Sequence, residues 1–526
     1  MSWINRARQS VANWISPAAA PRRRNLTLFN GSLASRLTAD WVNAPILSAD
    51  QEIKGNLRIL RGRSRELSRN NPVAKSYLKL LVAGILGEHG IRYRPLVRNN
   101  DGALNEAFNE KILDCWRDWC CHGNCTVDGK HSFRSLQNLV LKSVATDGEA
   151  IIRKVPGFKN KHRFALQLID PDQLDILFSR WPSEGENEIR MGVEVDVWGR
   201  PVAYHVNPAH PSDLGGSLLR ERIPAQYIVH LYDQDRVSQT RGIPWMSNSM
   251  LELRMLGGYF EAELVAARVG AAKMGFFKYT DPAAFEARNE DAHYKVEAEP
   301  GTFDELPPGL ELQQWNPDHP SNAFPMFVKS ALRLVASGLG VSYNALAADL
   351  EGVNYSSMRS GLLIERDQYK LCQSFMKESF LQNVFKDWLS MALLSGELKL
   401  DSRDPSRFLE GKWESRGWPW VDPLKDVQAS ILGIGAGLKT RDRIIGEEGG
   451  DVEEVFEQIA REKALAEEHG LVFDINAMAP TVKKGPKDQE EPSDEEPDQP
   501  EETVDAEGKP KRKILALTAR TSRAGD

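Results

Sequence analysis

The stretch GLGVSYNALAADLEGVNYSS, residues 338–357, separates two strongly periodic helical patterns. Before it, apolar residues recur at three- and four-residue spacing from residue 324 to residue 335, which predicts a helix with one apolar face. After it, a second periodic run extends from residue 356 to residue 392 without a proline, which is long for a globular helix. The sequence thus predicts two helices joined by a glycine-flanked loop. Such a loop is either presented to a partner or buried as an ordinary helical hairpin.

Composition describes a folded, soluble protein with several cores. Of the 526 residues, 41% are hydrophobic and 27% are charged. No run of about 18 apolar residues occurs, so we expect no membrane span. The net charge of −7 argues against nucleic-acid binding by the whole surface, although it leaves room for a local basic patch. Five cysteines, four of them between Cys115 and Cys125, lack the spacing of a disulfide framework and indicate a reducing, intracellular setting.

Short β-like runs replace the helical periodicity between residues 147 and 232. Valines alternate with polar residues from 193 to 197, the DVWGRP segment supplies a turn at Gly199, and the alternation then resumes. This pattern predicts a hairpin in an α+β domain. A helix follows over residues 247–274, and its predicted buried side consists of Met250, Leu253, Leu256, Tyr259, Phe260, Leu264, Ala267 and Ala271.

Both ends of the chain have a biased sequence. Residues 1–24 contain a short apolar helical face followed by PAAAPRRR, which predicts a flexible or docked arm, with a membrane-surface helix as the alternative. Near the other end, helical periodicity returns over residues 423–437 and 440–469. Beyond Met478 the segment KKGPKDQEEPSDEEPDQPEE is charged, proline-rich and without large apolar residues, so we expect disorder there.

Two clusters are candidate binding sites. Four arginines at helical spacing form a basic stripe, namely Arg58, Arg61, Arg65 and Arg69. Such a stripe neutralises DNA phosphates, but it is also typical of a solvated helix face or of one paired with a neighbour's carboxylates. In the CWRDWCCHGNC segment, Cys120, Cys121, His122 and Cys125 are potential zinc ligands, but no second pair of ligands follows it. We therefore expect a helix end with reduced thiols and no bound metal.

Catalytic motifs are absent from the sequence. It contains no G-x-x-x-x-G-K-[ST] phosphate loop and no H-E-x-x-H zinc motif. Asp147 and Glu149 are candidate Mg²⁺ ligands of a nuclease, but the third acid and the lysine expected of such a site are missing. Alternatively, Asp147 and Gly148 form a turn before a strand. A metal-dependent DNA-processing enzyme therefore stands as the alternative to a protein without catalysis.

Several segments resemble the portal proteins of tailed bacteriophages, in particular the lambda-like family. They lie between residues 56 and 470 and include RGRSRELSRNNPVAKSYLKLLVAGILGEHGIRYRP, DGKHSFRSLQNLVLKSVATDGEAIIR, LQLIDPDQLD, GVEVDVWGRPVAYHV, IPAQYIVHLYDQDRVSQTRGIPWM and GLGVSYNALAADLEGVNYSSMRSGLLIE. The last of these contains the loop and helix predicted above. The resemblance implies an α+β, portal-type subunit that assembles into a ring of about twelve copies. Through such a ring at one capsid vertex, double-stranded DNA is packaged and later ejected.

The resemblance also implies a division of the chain into parts. In order these are a flexible N-terminal arm (1–30), an α+β wing (31–246), a stem helix (247–278), a clip (279–316), a second stem helix (317–340), a tunnel loop (341–355), a long wing helix with its return (356–422), a helical crown (423–475) and a disordered charged tail (476–526).

Residue roles follow from this division. The tunnel loop would line the narrowest part of the DNA channel. Its residues there would be Asn344, Asp349, Glu351, Asn354 and Tyr355. The clip would dock the large terminase subunit or a neck protein through Glu286, Glu290, Asp291 and Glu297. Further implied partners are the major capsid or scaffold protein and the head–tail connector, and the implied location is the virion, with the host cytoplasm during assembly. The resemblance implies no cofactor, no metal, no membrane and no enzymatic activity.

Overall fold

The computed structural model of the chain describes residues 46–99, 104–213, 219–271, 275–279, 310–314, 323–352, 354–399, 408–418, 423–447 and 452–470. The α-helices in these ranges are α1 (Ala49–Asn70), α2 (Pro72–Leu81), α3 (Glu106–Cys120), α4 (Phe133–Asp147), α5 (Met250–Ala271), α6 (Phe324–Leu339), α7 (Tyr343–Ala347), α8 (Tyr355–Met376), α9 (Gln382–Ser395), α10 (Pro423–Gly435), α11 (Arg441–Glu447) and α12 (Val452–Glu468). The strands are β1 (Arg92–Pro95), β2 (Glu149–Pro156), β3 (Phe164–Ile169), β4 (Glu188–Arg190), β5 (Val193–Val195), β6 (Pro201–Val206), β7 (Glu221–Pro224), β8 (Ile228–Tyr232), β9 (Gly275–Tyr279), β10 (Leu310–Gln314) and β11 (Gly411–Glu414).

The two larger sheets of the described residues are antiparallel. β2 lies between β3 and β8 in one sheet, and β4, β5, β6 and β7 follow one another in the other. The predicted hairpin is confirmed, because β5 pairs with β6 and Val193 lies opposite Tyr204. Gly199 turns the chain between these two strands with a φ of 79°, a conformation that favours glycine. The mixed α and β composition predicted from the sequence is therefore correct.

The main core is centred on aromatic rings from helices that lie far apart in the sequence. The Trp116 ring on α3 lies 4.9 Å from that of Trp119 and 4.8 Å from that of Trp388 on α9. The Trp119 indole nitrogen donates to the Phe164 carbonyl of β3 at 2.9 Å, so this buried donor has a hydrogen-bond partner. Aromatic pairs of this kind contribute about 0.5–1.5 kcal/mol beyond the area they bury. This cluster therefore ties α3 and β3 to α9.

Local sequence determines where the core helices begin and end. Asn71 caps α2 with its side-chain oxygen, and Pro72 follows at the first helical position, where a missing N–H costs nothing. At the start of α4, Ser132 and Ser135 each accept a hydrogen bond from the other's backbone N–H. Gly148 ends α4 with a φ of 88°. β2 starts at the next residue, so Gly148 separates α4 from the sheet.

The long apolar run after the loop forms one continuous helical segment, as predicted. α8 ends at Met376, a π-helical turn spans Lys377–Leu381, and α9 continues from Gln382. A π turn absorbs one additional residue. Buried positions recur every four residues from Phe380 in this turn through α9, at Val384, Trp388 and Ala392.

α5 confirms the helix predicted over residues 247–274 but corrects its buried side. Met250, Leu253 and Leu256 are buried. The next three predicted core residues are exposed by 37%, 41% and 64%, namely Tyr259, Phe260 and Leu264. The prediction of burial was wrong for these three in the single chain, because α5 extends beyond the core after its second turn.

The chain divides into two compact units between Val452 and Glu453. The first contains both larger sheets and the helices up to α11, and the second contains α12 from Glu453 onward. None of the described helices combines the length and apolar character needed to cross a membrane. The predictions for the N-terminal arm and the charged tail concern residues outside the described ranges.

Candidate functional site

The predicted basic stripe on α1 is divided between the interior and the surface. The Arg61 side chain is 1% exposed, and its Nη2 donates to Glu149 Oε1 at 2.6 Å. Arg65 is partly exposed and donates from Nε to Asp147 Oδ1 at 2.6 Å. The exposed members of the stripe are Arg58 and Arg69. The prediction that Arg61 faces DNA is wrong, because a buried guanidinium cannot reach a phosphate; pairing with neighbouring carboxylates is the arrangement found.

Glu149 is the centre of a buried ion cluster that joins α1, β2, β8 and the segment leading into α5. Arg241 donates from Nε to both carboxylate oxygens at 2.9 Å and from Nη2 to Oε1 at 2.5 Å. His230 Nε2 lies 3.0 Å from Oε2, and the Gly242 N–H donates to the same oxygen at 3.1 Å. Because an ionised carboxylate can only accept, His230 carries its proton on Nε2. None of this could be read from the sequence, since the partners come from segments far apart in the chain.

Two glycines allow these segments to approach each other. Gly148 has a φ of 88°, and a Cβ there would lie 2.4 Å from the carbonyl carbon of Ile243. A Cβ on Gly242 would lie 2.0 Å from the carbonyl oxygen of Gly148. Side chains are excluded at both positions, because real Cβ atoms do not approach backbone atoms this closely. The contact brings the Gly242 N–H onto the Glu149 carboxylate.

Electrostatic interactions keep Glu149 charged although it is buried. Burial alone would raise the pKa of this carboxyl, but the guanidinium groups of Arg241 and Arg61 outweigh burial and hold the pKa of Glu149 well below its usual range. Burial lowers the pKa of His230, which keeps the imidazole neutral. Burial also raises the pKa of Asp147, and the bonded guanidinium of Arg65 only partly offsets it.

The same arrangement contradicts a nuclease site at Asp147 and Glu149. N–H donors fill both Glu149 oxygens, and Arg65 occupies Asp147 Oδ1. Mg²⁺ demands oxygen ligands in near-ideal octahedral geometry at about 2.0–2.1 Å. An ion held between the two carboxylates would have to displace two arginines, so the nuclease alternative was wrong for this pair. The other interpretation, a turn formed by Asp147 and Gly148 before a strand, is correct for the strand; the chain reverses at the end of α4, where Asp147 is the last helical residue and Gly148 its C-cap.

Sequence reasoning missed a second acidic group. Asp170, Asp172 and His210 have potential ligand atoms within 4.8 Å of one another. Arg65 donates to both carboxylates, at 3.3 Å to Asp170 and 2.5 Å to Asp172. The Arg65 guanidinium therefore occupies the place that a cation would take.

The cysteine-rich segment forms the end of α3. Its four cysteines are free, and Cys121 occupies the C-cap of the helix. Burial raises the pKa of Cys120 well above its usual range and that of Cys125 to about 12. Both therefore remain neutral thiols, and thiolate is the form that binds metal. The expected helix end is confirmed.

The first half of the predicted loop is part of the core. Gly340 ends α6 in the left-handed conformation, and Ser342 then caps α7. Leu346 is 3% exposed, and its carbonyl accepts the Ser76 hydroxyl of α2 at 3.2 Å. Val341 is buried as well. Of the two alternatives left open by the sequence, burial therefore holds for these two apolar residues, because α7 packs on α2.

Asp349 organises the second half of the loop. Its Oδ2 accepts the Tyr343 hydroxyl at 2.6 Å and lies 3.1 Å from Lys329 Nζ on α6. Its Oδ1 accepts the Glu351 N–H at 3.0 Å. The hydrogen bonds from Tyr343 and the Glu351 N–H, together with Lys329, lower the pKa of Asp349 to about 2. Ala348 precedes it with a φ of 52°, which is unusual for a residue other than glycine.

The other residues predicted for the loop and clip differ in their surroundings. Asn344 is half-buried, whereas Glu351 and Asn354 are exposed. Tyr355 begins α8, and its side chain lies outside the described part of the structure. Outside it too are the four clip residues Glu286, Glu290, Asp291 and Glu297. β9 and β10, on either side of that stretch, form an antiparallel ladder.

α5 and α6 pack on each other and carry a joint apolar surface. The Tyr259 ring lies 5.7 Å from that of Phe324 and 5.2 Å from that of Phe327. The exposed apolar side chains of the two helices are Leu251, Met255, Tyr259, Phe260, Leu264, Val265, Met326, Phe327 and Leu334. Exposed apolar side chains gathered on two packed helices are typical of a surface that contacts another protein.

Known proteins similar to this chain include portal proteins of phages. A family model described as "Phage portal protein, lambda family" matches residues 34–373. The "Probable portal protein" of Halomonas phage phiHAP-1 is 35% identical over 502 residues, which cover 93% of this chain and 96% of that protein. "Portal protein B" of Escherichia phage lambda is 24% identical over 84% of this chain and 89% of that protein. A chain in the neck of an empty GTA particle is 16% identical, with a TM-score of 0.41, over 79% of this chain and 98% of that chain.

Proposed function

Because this chain belongs to the lambda family of phage portal proteins, we propose that its copies close into a ring at one vertex of the capsid. The bore of the ring carries double-stranded DNA into the head during packaging and out of it during ejection. One subunit cannot enclose a duplex, whereas a head-to-tail contact that closes on itself produces a ring, here of about twelve copies. The protein is then a component of the virion that assembles in the host cytoplasm.

The observation that carries this proposal is the exposed apolar surface of α5 and α6. Leu264 and Leu334 are 64% and 63% exposed, and Phe327 is 55% exposed. Burying apolar surface stabilises an assembly by about 25 cal/mol per Å² removed from water. We propose that a second copy of the chain covers this surface. α5 and α6 are then the two stem helices, the clip (279–316) lies between them, and the crown begins at residue 423.

We further propose that the second half of the loop contacts DNA as it passes. The sequence from Ser342 to Tyr355 contains no Lys or Arg. Contacts that neutralise phosphates give a steep affinity, which would hold DNA where it must move. Asn344, Glu351 and Asn354 offer polar, non-cationic side chains in this segment, and Tyr355 follows them.

The clip supplies the docking surface in this proposal. Its acidic residues Glu286, Glu290, Asp291 and Glu297 bind the large terminase subunit or a neck protein, and the wing faces the capsid or scaffold protein. Replacing all four with Ala should weaken capture of the terminase subunit in a pull-down, with little change in the stability of the ring. Unchanged capture would instead indicate a solvated acidic surface without a partner.

Negative-stain microscopy with light scattering tests the ring. The wild-type protein should form closed rings with a central hole. Leu334→Asp should shift the protein toward single subunits, because it places a charge on the apolar surface of α6. Leu394→Asp is the matched control, because Leu394 is 80% exposed at the far end of α9. A wild-type protein found only as monomer or dimer at micromolar concentration would refute the ring.

The portal family is structural rather than enzymatic, and we propose that this chain has no catalytic activity. The purified protein should neither cut duplex DNA nor hydrolyse ATP in the presence of Mg²⁺. Activity that is lost in an Asp147→Ala/Glu149→Ala variant that remains folded would reverse this conclusion. Activity that survives both substitutions would come from a contaminant.

A further inference from the structure

Two basic side chains of α6 share one aromatic platform. Lys329 and Arg333 are one helical turn apart, so they lie on the same face. The Lys329 Nζ lies 6.0 Å and the Arg333 Cζ 5.5 Å from the centre of the Tyr343 ring. Two like charges at this spacing destabilise a helix unless a counter-charge is near. Together they form a small basic site beside the loop.

The only carboxylate that pairs with this site among the described residues is Asp349. It lies 3.1 Å from Lys329, and the Tyr343 hydroxyl holds it in place at 2.6 Å. Arg333 is exposed and has no carboxylate partner in the described part of the chain. One negative charge thus covers a site that carries two positive charges.

We propose that Lys329 and Arg333 bind the phosphates of duplex DNA and that Asp349 masks this site while the loop is docked on α6. This inference rests on the proposed function, because it assumes DNA in the bore of a ring. In the docked state the loop offers an acidic surface, and Lys329 is neutralised. When the loop is displaced from α6, Lys329 becomes available beside the already exposed Arg333, and the two can contact two phosphates.

The Lys329–Asp349 ion pair is weak enough for DNA to replace Asp349. Lys329 is 32% exposed and Asp349 is 26% exposed, so water screens their attraction. A duplex presents a phosphate about every 1.7 Å along its axis and competes well for a lysine held this weakly. The base of the loop stays fixed meanwhile, because Leu346 is buried. Displacement therefore needs only the residues after α7 to move.

The experiment compares two substitutions that remove the same charge from the same loop. Asp349→Asn releases Lys329, whereas Glu351→Gln removes an exposed carboxylate that has no contact with Lys329. The affinity of each assembled protein for a synthetic duplex is measured by fluorescence anisotropy from about 50 to about 200 mM salt. Asp349→Asn should bind more tightly than Glu351→Gln. Its plot of log K against log salt should also be steeper by about 0.9 for each cation that gains a phosphate.

Adding Lys329→Gln to Asp349→Asn should remove this gain, and adding Arg333→Gln should weaken binding further and lower the slope again. Equal affinity and equal slope for Asp349→Asn and Glu351→Gln would overturn the proposal. Negative-stain images of each variant separate this outcome from a failure of the proposed function. If rings form but the two variants bind DNA equally, only the masked site is refuted.

A second measurement covers the case in which Asp349→Asn does not assemble. Tyr343→Phe removes the hydroxyl that holds Asp349 and changes no charge. Lys329 should then react faster with an acetylating reagent than in the wild-type protein, as read by mass spectrometry, and duplex DNA should protect it. Unchanged reactivity in this variant would count against the mask.

Discussion

Replacing Glu149 with glutamine tests whether the buried ion cluster stabilises the fold. The substitution keeps the shape of the side chain and removes one charge. Two guanidinium groups that are 0% and 1% exposed, those of Arg241 and Arg61, then lose their nearest counter-charge. The amide nitrogen that replaces one oxygen would also face a hydrogen-bond donor, because donors approach both carboxylate oxygens.

The expected loss of stability follows from these contacts. Removing one partner of a buried ion pair costs about 3–5 kcal/mol, because the remaining charge stays buried and unpaired. Arg241 keeps its hydrogen bonds to the carbonyl oxygens of Leu174 and Met191, at 3.0 and 2.7 Å. We therefore expect a loss in the lower part of this range, so that Glu149→Gln lowers the free energy of unfolding by about 3 kcal/mol.

The assay is urea unfolding followed by tryptophan fluorescence, since Trp119 and Trp388 lie in the core. Glu221→Gln is the matched control. Glu221 also binds an arginine through both oxygens, Arg153 at 2.8 and 3.0 Å, but it is 51% exposed. A surface pair of this kind contributes below about 1 kcal/mol. Equal shifts of the urea midpoint for the two variants, with unchanged slopes, would refute the structural role of the cluster.

Three further predictions use the same unfolding assay. Gly84→Ala should lower stability by about 1–3 kcal/mol, because its Cβ would lie 2.3–2.7 Å from ring atoms of Tyr369. Leu346→Ala should cost about 2–4 kcal/mol, whereas Leu350→Ala, five residues before Tyr355 and 66% exposed, should change stability by less than about 0.5 kcal/mol. Stability should fall as the pH drops below about 6.5, because the unfolded chain then takes up a proton that His230, whose pKa burial lowers, does not take up when folded. The stabilisation is complete above that pH and is lost toward the lower pKa of the folded state, so His230→Gln should flatten this part of the profile of urea midpoint against pH.

Clear outcomes would contradict each of these. Gly62→Ala is the control for Gly84, because nothing lies within 4 Å of a Cβ at Gly62 in the middle of α1, and it should be neutral or stabilising. Equal effects of the two glycine substitutions would mean that Tyr369 does not fix this approach. Equal effects at Leu346 and Leu350 would place α7 outside the core. An unchanged profile for His230→Gln would assign the acid sensitivity to other groups.

Periodicity predicted those parts of the fold that depend on neighbouring residues. The hairpin at Gly199, the helix predicted over residues 247–274 and the long helical run after the loop are all present in the structure. Each is determined within a few residues by turn chemistry, capping or the spacing of apolar side chains. The same information located the loop between α6 and α8.

Partners far away in the sequence explain what periodicity missed. Arg61 fits a surface stripe by spacing, but its carboxylate partner lies 88 positions further along, on β2. Leu346 lies in a polar, glycine-flanked stretch, and only the packing of α7 on α2 buries it. Leu264 has the spacing of a core residue and yet is exposed in the single chain. Apolar periodicity shows that a face avoids water and does not say whether the same chain or another one covers it.

The π turn at Lys377–Leu381 has a consequence for how relatives of this chain are aligned. It accommodates one residue more than a regular helix would over the same length. Deleting a single residue there would convert the turn to regular α-helix and leave Phe385 and Trp388 facing the rings they contact, whereas a deletion within regular α-helix would rotate everything beyond it by about 100°. A relative with an unbroken α-helix must therefore be aligned with a one-residue gap in this turn. Without that gap, every position from α9 onward would be compared with the wrong side of the helix.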